Sequence, residues 1–227
     1  MSRKNSKNNS RKIVIAILCF VLIVTGLTAL GTFSKSPSAA QAVPASSFKY
    51  DTQPFIGNAD APVSIVEFGD FKCPACQAWE NTIYPQVYAD LIETGKAKMY
   101  FINFPFIGQD SFAAAEIGEA VAAQGNEAFF KYYDIVYKSQ QDESLIWATP
   151  DFLYSLIEQH IPEVDLDKVK KDIEDQTYVS AVDSDLDIVK NIGVNATPSI
   201  FVNGIKADNG KGYAGIADLV NQATTTK

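Results

Sequence analysis

The hydrophobic and polar positions divide the chain of 227 residues into four regions. Residues 1–12 are polar and basic, and residues 13–33 form an uncharged run that is entirely apolar over residues 13–24. Residues 34–54 are rich in Ser, Ala and Pro and lack a hydrophobic period, which is typical of a tether. From residue 55 onward, short apolar runs alternate with helical periodicity, and this pattern predicts a folded α/β domain.

The uncharged run predicts one transmembrane helix. Its length matches the hydrocarbon core of a bilayer, and the Lys and Arg residues before it favour a cytoplasmic N-terminus. We therefore expect a single-pass protein of the cell membrane with its folded domain on the extracytoplasmic side. The alternative is a cleaved signal peptide and a secreted protein, because Ala40-Gln41-Ala42 has the small-x-small form of a cleavage site. We favour the anchor because the run is longer than a usual signal segment.

Periodicity also predicts the elements of the folded domain. Residues 63–68 and 98–104 are β-branched and apolar, which predicts two buried strands. Between them, apolar residues recur every four positions from Trp79 to Leu91, which predicts a helix that Pro85 kinks. Strands at 199–203 and 205–207 and a helix at 216–223 are predicted near the C-terminus. The helices between these two groups are predicted to begin at Asp110 or Ser111, Asn126, Thr149 and Asp165, with a last one ending at Gly193.

The charge distribution excludes two classes of function. All six cations before residue 36 lie in a segment without acidic residues, whereas residues 36–227 carry 13 Lys, no Arg and 27 acidic residues. Such a domain lacks the clustered cations that phosphate binding requires, so we expect no nucleic-acid partner. The chain has a single His, His160, and no G-x-S-x-G sequence, which argues against a hydrolase of the Ser-His-Asp type.

The remaining chemistry lies in two cysteines of the exported part, within Cys73-Pro74-Ala75-Cys76. They follow a predicted strand and begin a predicted helix, whose free N–H groups and dipole stabilise a thiolate. This placement predicts a lowered pKa for Cys73 and makes it the attacking or attacked sulfur. Pro74 suits the first helical position, and Cys76, one turn further, is the expected buried resolving thiol.

Three alternatives to redox chemistry fit the sequence less well. A zinc site would need two more ligands, and only His160 and the intramembrane Cys19 remain. A copper carrier would favour thioether ligands, and Met99 is the only Met besides the first residue. A structural disulfide between Cys73 and Cys76 would close too short a loop to stabilise the fold much. We therefore expect a redox pair without a metal or dissociable cofactor.

Two further positions carry a functional and a plain structural interpretation. Glu67 interrupts the apolar strand six residues before Cys73. It is either an outward-facing strand residue, or a buried carboxyl with a raised pKa that exchanges a proton with Cys76. The pair Thr197-Pro198 precedes the third strand. It forms either an ordinary trans turn or a cis bond that faces the CxxC and leaves the backbone open for an extended peptide.

Residues 66–76 (VEFGDFKCPAC) together with residues 193–204 (GVNATPSIFVNG) resemble the DsbA-type thiol-disulfide oxidoreductases. The resemblance covers residues 55 to 223 and is closest to the membrane-anchored, BdbD-like members of Gram-positive bacteria. It implies a thioredoxin fold over residues 55–107 and 180–227, interrupted by a helical insertion at residues 108–179. It also implies that Cys73 is the reactive thiol, that the Glu67 position is acidic and that Pro198 is cis.

The resemblance further implies substrate contacts at Pro74, Ala75, Thr197 and Pro198. The sequence departs from the enterobacterial members at Ala75, where they have His. Ala supplies neither a hydrogen bond nor a positive charge to the thiolate. We therefore expect a less depressed pKa at Cys73 and a weaker oxidant.

These observations predict an extracytoplasmic, monomeric enzyme that introduces disulfides into reduced exported proteins. The resemblance implies a DsbB-like membrane quinone reductase as the partner that reoxidises it. Two alternatives stay open: a reductase or isomerase of the same fold, and a non-catalytic chaperone that binds clients through its aromatic helices. The isomerase is disfavoured because residues 35–47 are too few for a dimerisation domain.

Overall fold

The computed structural model describes residues 42–225, which fold around one mixed sheet in the strand order β1-β3-β2-β4-β5. β2 and β3 pair in parallel, and the other neighbouring pairs are antiparallel. The strands are β1 (Phe55–Ile56), β2 (Val63–Gly69), β3 (Ala97–Asn103), β4 (Ser199–Val202) and β5 (Ile205–Lys206). β2 is the central strand, as its apolar residues on both faces predict, and the CxxC segment follows its C-terminal end.

Helices cover both faces of this sheet and fill the connection between β3 and β4. In the described part of the chain they are α1 (Pro74–Thr82), α2 (Tyr84–Val87), α3 (Gln109–Ala122), α4 (Asn126–Lys138), α5 (Pro150–His160), α6 (Leu166–Glu174), α7 (Val179–Ile192) and α8 (Gly212–Thr225). A π-helical turn follows α2 at Tyr88–Ile92. The helices α3 to α6 interrupt the strand-bearing part of the chain, so the expected α/β fold with a helical insertion is confirmed.

The predicted kink at Pro85 is confirmed as a break between two helices. α1 ends at Thr82, and α2 begins at Tyr84 with Pro85 in its first turn. Proline has no N–H to donate and its ring clashes with the preceding turn, so a continuous helix cannot pass through this position. The break turns the chain beneath the sheet and leaves α1 as a short helix that carries both cysteines.

Two of the predicted helix starts in the insertion are confirmed by their capping hydrogen bonds. The Thr149 hydroxyl accepts a hydrogen bond from the Phe152 N–H, at 3.4 Å, at the start of α5. The Asp165 carboxylate accepts one from the Lys168 N–H, at 3.0 Å, at the start of α6. Both side chains satisfy N–H groups that the helix itself leaves unpaired.

The other two predicted caps are wrong. α3 begins after Gly108 and α4 after Gly125, and neither helix has a side-chain cap. Asp110 accepts a hydrogen bond from the Lys72 ammonium group instead. The Asn126 side chain accepts one from the backbone N–H of β1, so both polar groups have more distant partners than a cap.

The end of the predicted tether is part of the folded domain. Residues 42–54 contain two short 3₁₀ turns, and the Val43 N–H donates to the Gly204 carbonyl at 2.8 Å. Phe48 is fully buried and its ring lies 6.2 Å from that of Phe68 and 5.7 Å from that of Phe201. A buried aromatic ring outweighs the local Ser/Pro composition, so the tether prediction is wrong for this portion.

The predicted membrane anchor lies outside the described residues. Within residues 42–225, none of the helices has the length and apolar character needed to cross a membrane.

Candidate functional site

The two cysteines of the CxxC segment lie at the start of α1, as the sequence predicts. Cys73 is the N-cap residue and Pro74 occupies the first turn. Both cysteines are free thiols; Cys73 retains 7% exposure, whereas Cys76 is completely buried. Pro74 and Ala75 are exposed beside them. Cys73 is therefore the more accessible of the two cysteines, although both are largely buried.

The environment of Cys73 favours its thiolate. A hydrogen bond from the Cys76 thiol lowers its pKa most, and further bonds from the backbone N–H groups of Ala75 and Cys76 act in the same direction. Together they outweigh partial burial and lower the pKa of Cys73 to about 6. The thiol is thus largely ionised at neutral pH without any side-chain contribution from Ala75.

Cys76 has the opposite electrostatic environment. Burial raises its pKa well above the usual value, and its interactions with Cys73 and Glu67 raise it further. A fully buried thiol that prefers to stay protonated is a poor nucleophile until a base removes its proton.

Glu67 provides a carboxyl group beside this pair. Its side chain, on β2, is fully buried, so the outward-facing interpretation is wrong. The Oε2 atom accepts hydrogen bonds from the Trp79 indole N–H at 3.0 Å and from the Tyr133 hydroxyl at 2.7 Å. Burial outweighs these two donors and raises the pKa of Glu67 to about 8. The group therefore changes charge near neutral pH.

The Thr197-Pro198 peptide bond is cis, so the expectation of an ordinary trans turn is wrong and the cis bond is confirmed, whereas the pairing of its backbone with a peptide stays a prediction. The Cys73 thiol contacts the Thr197 carbonyl oxygen, with 3.6 Å between the sulfur and the oxygen. The loop before β4 and the start of α1 thus meet at the reactive sulfur, although more than 120 residues separate them in the chain.

An apolar groove of about 260 Å³ opens beside this contact. Ala75 and Pro198 lie at its edge, and Trp79, Ile200 and Ile216 form part of its lining. Through Ala75 and Pro198, the groove borders on both the CxxC segment and the loop that contacts Cys73.

Sequence reasoning missed three side chains that hold the site. Helical spacing accounts for the ring of Tyr133 as part of an apolar helix face and gives no sign that its hydroxyl donates to Glu67. The Gln140 amide donates to the carbonyl oxygens of Phe71 and Cys73, at 2.8 and 3.1 Å. Lys72 forms a buried ion pair with Asp110 at 2.7 Å. Of these three residues, only Lys72 could have been singled out from the sequence, because it is a cation next to the CxxC.

Comparisons with known proteins agree with this geometry. The thioredoxin family model matches residues 49–222. The chain is 39% identical to the "Probable disulfide bond formation protein D" of Bacillus cereus over 201 residues, which cover 88% of this chain and 90% of that protein. It is 32% identical to "Disulfide bond formation protein D" of Bacillus subtilis over 170 residues, 75% of this chain and 76% of the relative.

Solved structures give the same result. The crystal structure of oxidised BdbD from Bacillus subtilis matches with a TM-score of 0.72 and 31% identity, covering 76% of this chain and 93% of that one. Chlamydia trachomatis DsbA matches with a TM-score of 0.69 at 22% identity, covering 77% and 92%, and shares the fold. The chain therefore belongs to the thioredoxin family and, within it, to the BdbD-like protein thiol-disulfide oxidoreductases.

Proposed function

We propose that this protein is a disulfide donor for reduced exported proteins on the extracytoplasmic side of the membrane. The observation that carries this proposal is the asymmetry of its two thiols. The pKa of the accessible Cys73 is lowered to about 6, whereas burial raises that of Cys76. A stable thiolate at Cys73 favours the reduced enzyme and thereby makes the disulfide form a good oxidant.

The exchange proceeds in two steps. A substrate thiolate attacks the Cys73 sulfur of the oxidised enzyme; the Cys73–Cys76 bond breaks and Cys76 leaves with the electron pair. A second substrate thiolate then attacks the substrate sulfur of the mixed disulfide and releases Cys73 as a thiolate. The substrate loses two electrons and gains a disulfide, and the enzyme is left as the dithiol.

Glu67 supplies the proton that this exchange requires. A thiolate released at Cys76 would be an unpaired buried charge, and the carboxyl group of Glu67 can protonate it. In the reverse direction, the Glu67 carboxylate takes the proton from Cys76 when the dithiol is reoxidised. A pKa of about 8 lies close enough to neutrality for both roles.

The loop at Thr197 and the exposed residues Pro74 and Ala75 form the substrate-binding surface. Because Cys73 lies against the Thr197 carbonyl, an extended peptide that pairs with this backbone brings its cysteine to the reactive sulfur. The apolar groove beside Pro198 accepts a neighbouring side chain of that peptide.

Turnover requires a partner that takes the electrons away. We propose a DsbB-like membrane quinone reductase, and a monomeric enzyme held close to it by the anchor at residues 13–33. If the signal is cleaved near Ala42 instead, the enzyme is secreted and meets this partner by diffusion.

Cysteine substitutions test the proposal with a reduced, unfolded disulfide protein as substrate. We expect Cys73→Ser to abolish disulfide formation. We expect Cys76→Ser to lose this activity as well, because Cys73 alone cannot form the intramolecular disulfide that a substrate thiolate attacks. Cys19→Ser removes a cysteine outside the site and is the control, with unchanged activity. Disulfide formation by Cys73→Ser at the wild-type rate would contradict the proposal and favour a binding protein or chaperone.

A further inference from the structure

We propose that Tyr133 and Glu80 conduct protons between Glu67 and the protein surface. The inference rests on the proposed function, in which Glu67 gains and loses one proton in every catalytic cycle. Glu67 is fully buried, so a proton taken from Cys76 needs a route to solvent. The helical insertion supplies such a route through α4, which carries Tyr133.

The inner part of the route is the hydroxyl group of Tyr133. It donates a hydrogen bond to the Oε2 atom of Glu67 at 2.7 Å, and it also interacts with the Glu80 carboxyl group, whose pKa it lowers. Glu80 lies on α1, one turn after Cys76, and is 5% exposed. Its Oε2 atom is buried without a hydrogen-bond partner among the described residues, so this oxygen is available to receive a proton.

The outer part of the route leads from Glu80 to solvent. Glu80 interacts with Asp134 and Lys138 on α4. Asp134 and Lys138 form an ion pair at 2.6 Å, and their side chains are 38% and 61% exposed. A proton on Glu80 is therefore one step from groups that water reaches.

The transfer balances at each atom. The protonated Glu67 carboxyl gives its proton to the phenol oxygen of Tyr133 as the hydroxyl of Tyr133 gives its own proton to the Glu80 carboxylate. One O–H bond breaks and one forms at the phenol, so Tyr133 ends as a neutral hydroxyl. Glu80 then releases the proton to Asp134 or to water, and the reverse sequence returns a proton to Glu67.

The other ionisable groups around the two carboxyls do not offer this bridge. Burial raises the pKa values of both Glu67 and Glu80, the latter to about 7; repulsion by Glu80 raises that of Glu67 further, and repulsion by Asp134 raises that of Glu80. Tyr84 interacts electrostatically with both carboxyls, and Tyr137 interacts with Glu67 and hydrogen bonds to Cys76. Cys73 also faces Glu67, and Lys138 is the cation that faces Glu80. Tyr133 is the hydroxyl that donates to Glu67 and also lowers the pKa of Glu80.

A purely structural role for Tyr133 would depend on its ring, not on its hydroxyl. The ring packs against Phe101, Tyr84 and Tyr137 with centroid distances of 5.4, 5.7 and 4.9 Å. Tyr133→Phe keeps these contacts and removes only the proton carrier. Tyr132→Phe is the matched control: it is the adjacent, fully buried tyrosine of α4, and its hydroxyl donates to the Ala114 carbonyl at 2.8 Å.

The test measures closure of the Cys73–Cys76 disulfide. Reduced enzyme is mixed with saturating oxidised glutathione, and the unimolecular step is followed by tryptophan fluorescence between pH 5 and 9. We expect Tyr133→Phe and Glu80→Gln each to slow closure about tenfold or more, within the range of general acid–base catalysis. The double variant should be no slower than either single one, and Tyr132→Phe should match the wild type.

A small diffusible buffer separates proton conduction from positioning. Rising imidazole concentration should restore the closure rate of Tyr133→Phe, because the buffer carries protons that the missing hydroxyl cannot. Closure by both Tyr133→Phe and Glu80→Gln at the wild-type rate would overturn the inference. If Glu67→Gln also closes at the wild-type rate, the proposed role of Glu67 fails as well; if only Glu67→Gln is slow, the inference alone fails.

Discussion

Two buried carboxyl groups flank the CxxC segment, and the difference between them lies in what they face. Asp110, on the helical insertion, accepts a hydrogen bond from the Lys72 ammonium group at 2.7 Å and others from two backbone N–H groups. Burial alone would raise its pKa, but these donors outweigh burial and lower it. Glu67 has two neutral donors and no cation bonded to it, and burial raises its pKa to about 8.

The comparison shows that one buried carboxyl group stabilises the structure of the site, whereas the other is suited to proton transfer. The lowered pKa keeps Asp110 ionised, and its bond to Lys72 joins the residue before Cys73 to α3, while the same Lys72 ammonium donates to the Leu145 carbonyl at 2.8 Å. It therefore holds the reactive turn against the insertion at every physiological pH. Glu67 lacks a compensating charge, so its proton is mobile near neutral pH and can take part in thiol exchange.

Removing the charged partner of Lys72 should give the largest effect. Asp110→Ala leaves a buried ammonium group unpaired, which typically costs about 3–5 kcal/mol. We expect this loss in the free energy of unfolding measured with urea at pH 7. The exposed pair Lys131–Glu163 provides the control, because Glu163→Gln should change stability little.

A small effect of Asp110→Ala, comparable to that of Glu163→Gln, would contradict the structural role given to the buried pair. It would mean that Lys72 finds water or another partner when the carboxylate is removed.

Neutralising Glu67 should give a comparable effect, of opposite sign and with a distinct pH dependence. The pKa of Glu67 is raised from 4.5 to about 8, so the native state holds a proton that the unfolded state has already released between these values. Wild-type stability must therefore fall as pH rises through this window, and Glu67→Gln should escape that loss. A shift of this size corresponds to at most about 5 kcal/mol, so we expect the variant to gain several kcal/mol relative to wild type as the pH rises from 4 to 8, with little further change above pH 8.

The measurement is the free energy of unfolding of both oxidised proteins from pH 4 to pH 9. Taking the difference between them removes the titration of Glu80, which both share. A stability difference that stays constant across this range would show that Glu67 does not carry a raised pKa.

The central chemistry of the site could be predicted because its residues are close in sequence or carry a local signature. The strand, the CxxC and the helix follow one another within residues 63–91, and Glu67 interrupts an apolar run there. The sequence also indicates a special role for Pro198, because a proline is unfavourable directly before a buried strand.

The remaining features depend on contacts between distant parts of the chain. The Tyr133 hydroxyl meets a carboxyl 66 positions away, and helical periodicity explains its ring without indicating any role for its oxygen. The sequence predicts Asp110 as a helix cap, because only the folded structure shows that Lys72 lies within hydrogen-bond distance of it. Phe48 lies in a stretch whose composition favours a tether, and only the completed sheet offers a place to bury it.

The reduction potential of the Cys73–Cys76 pair tests the central claim most directly. It is measured by equilibrating the protein in glutathione buffers and reading the fluorescence of Trp79. A lowered pKa at Cys73 stabilises the dithiol form, so the account predicts a potential near or above about −180 mV, at the oxidising end of this class of proteins. A potential near about −270 mV, like that of thioredoxin, would identify a reductase and contradict the proposed direction of electron flow.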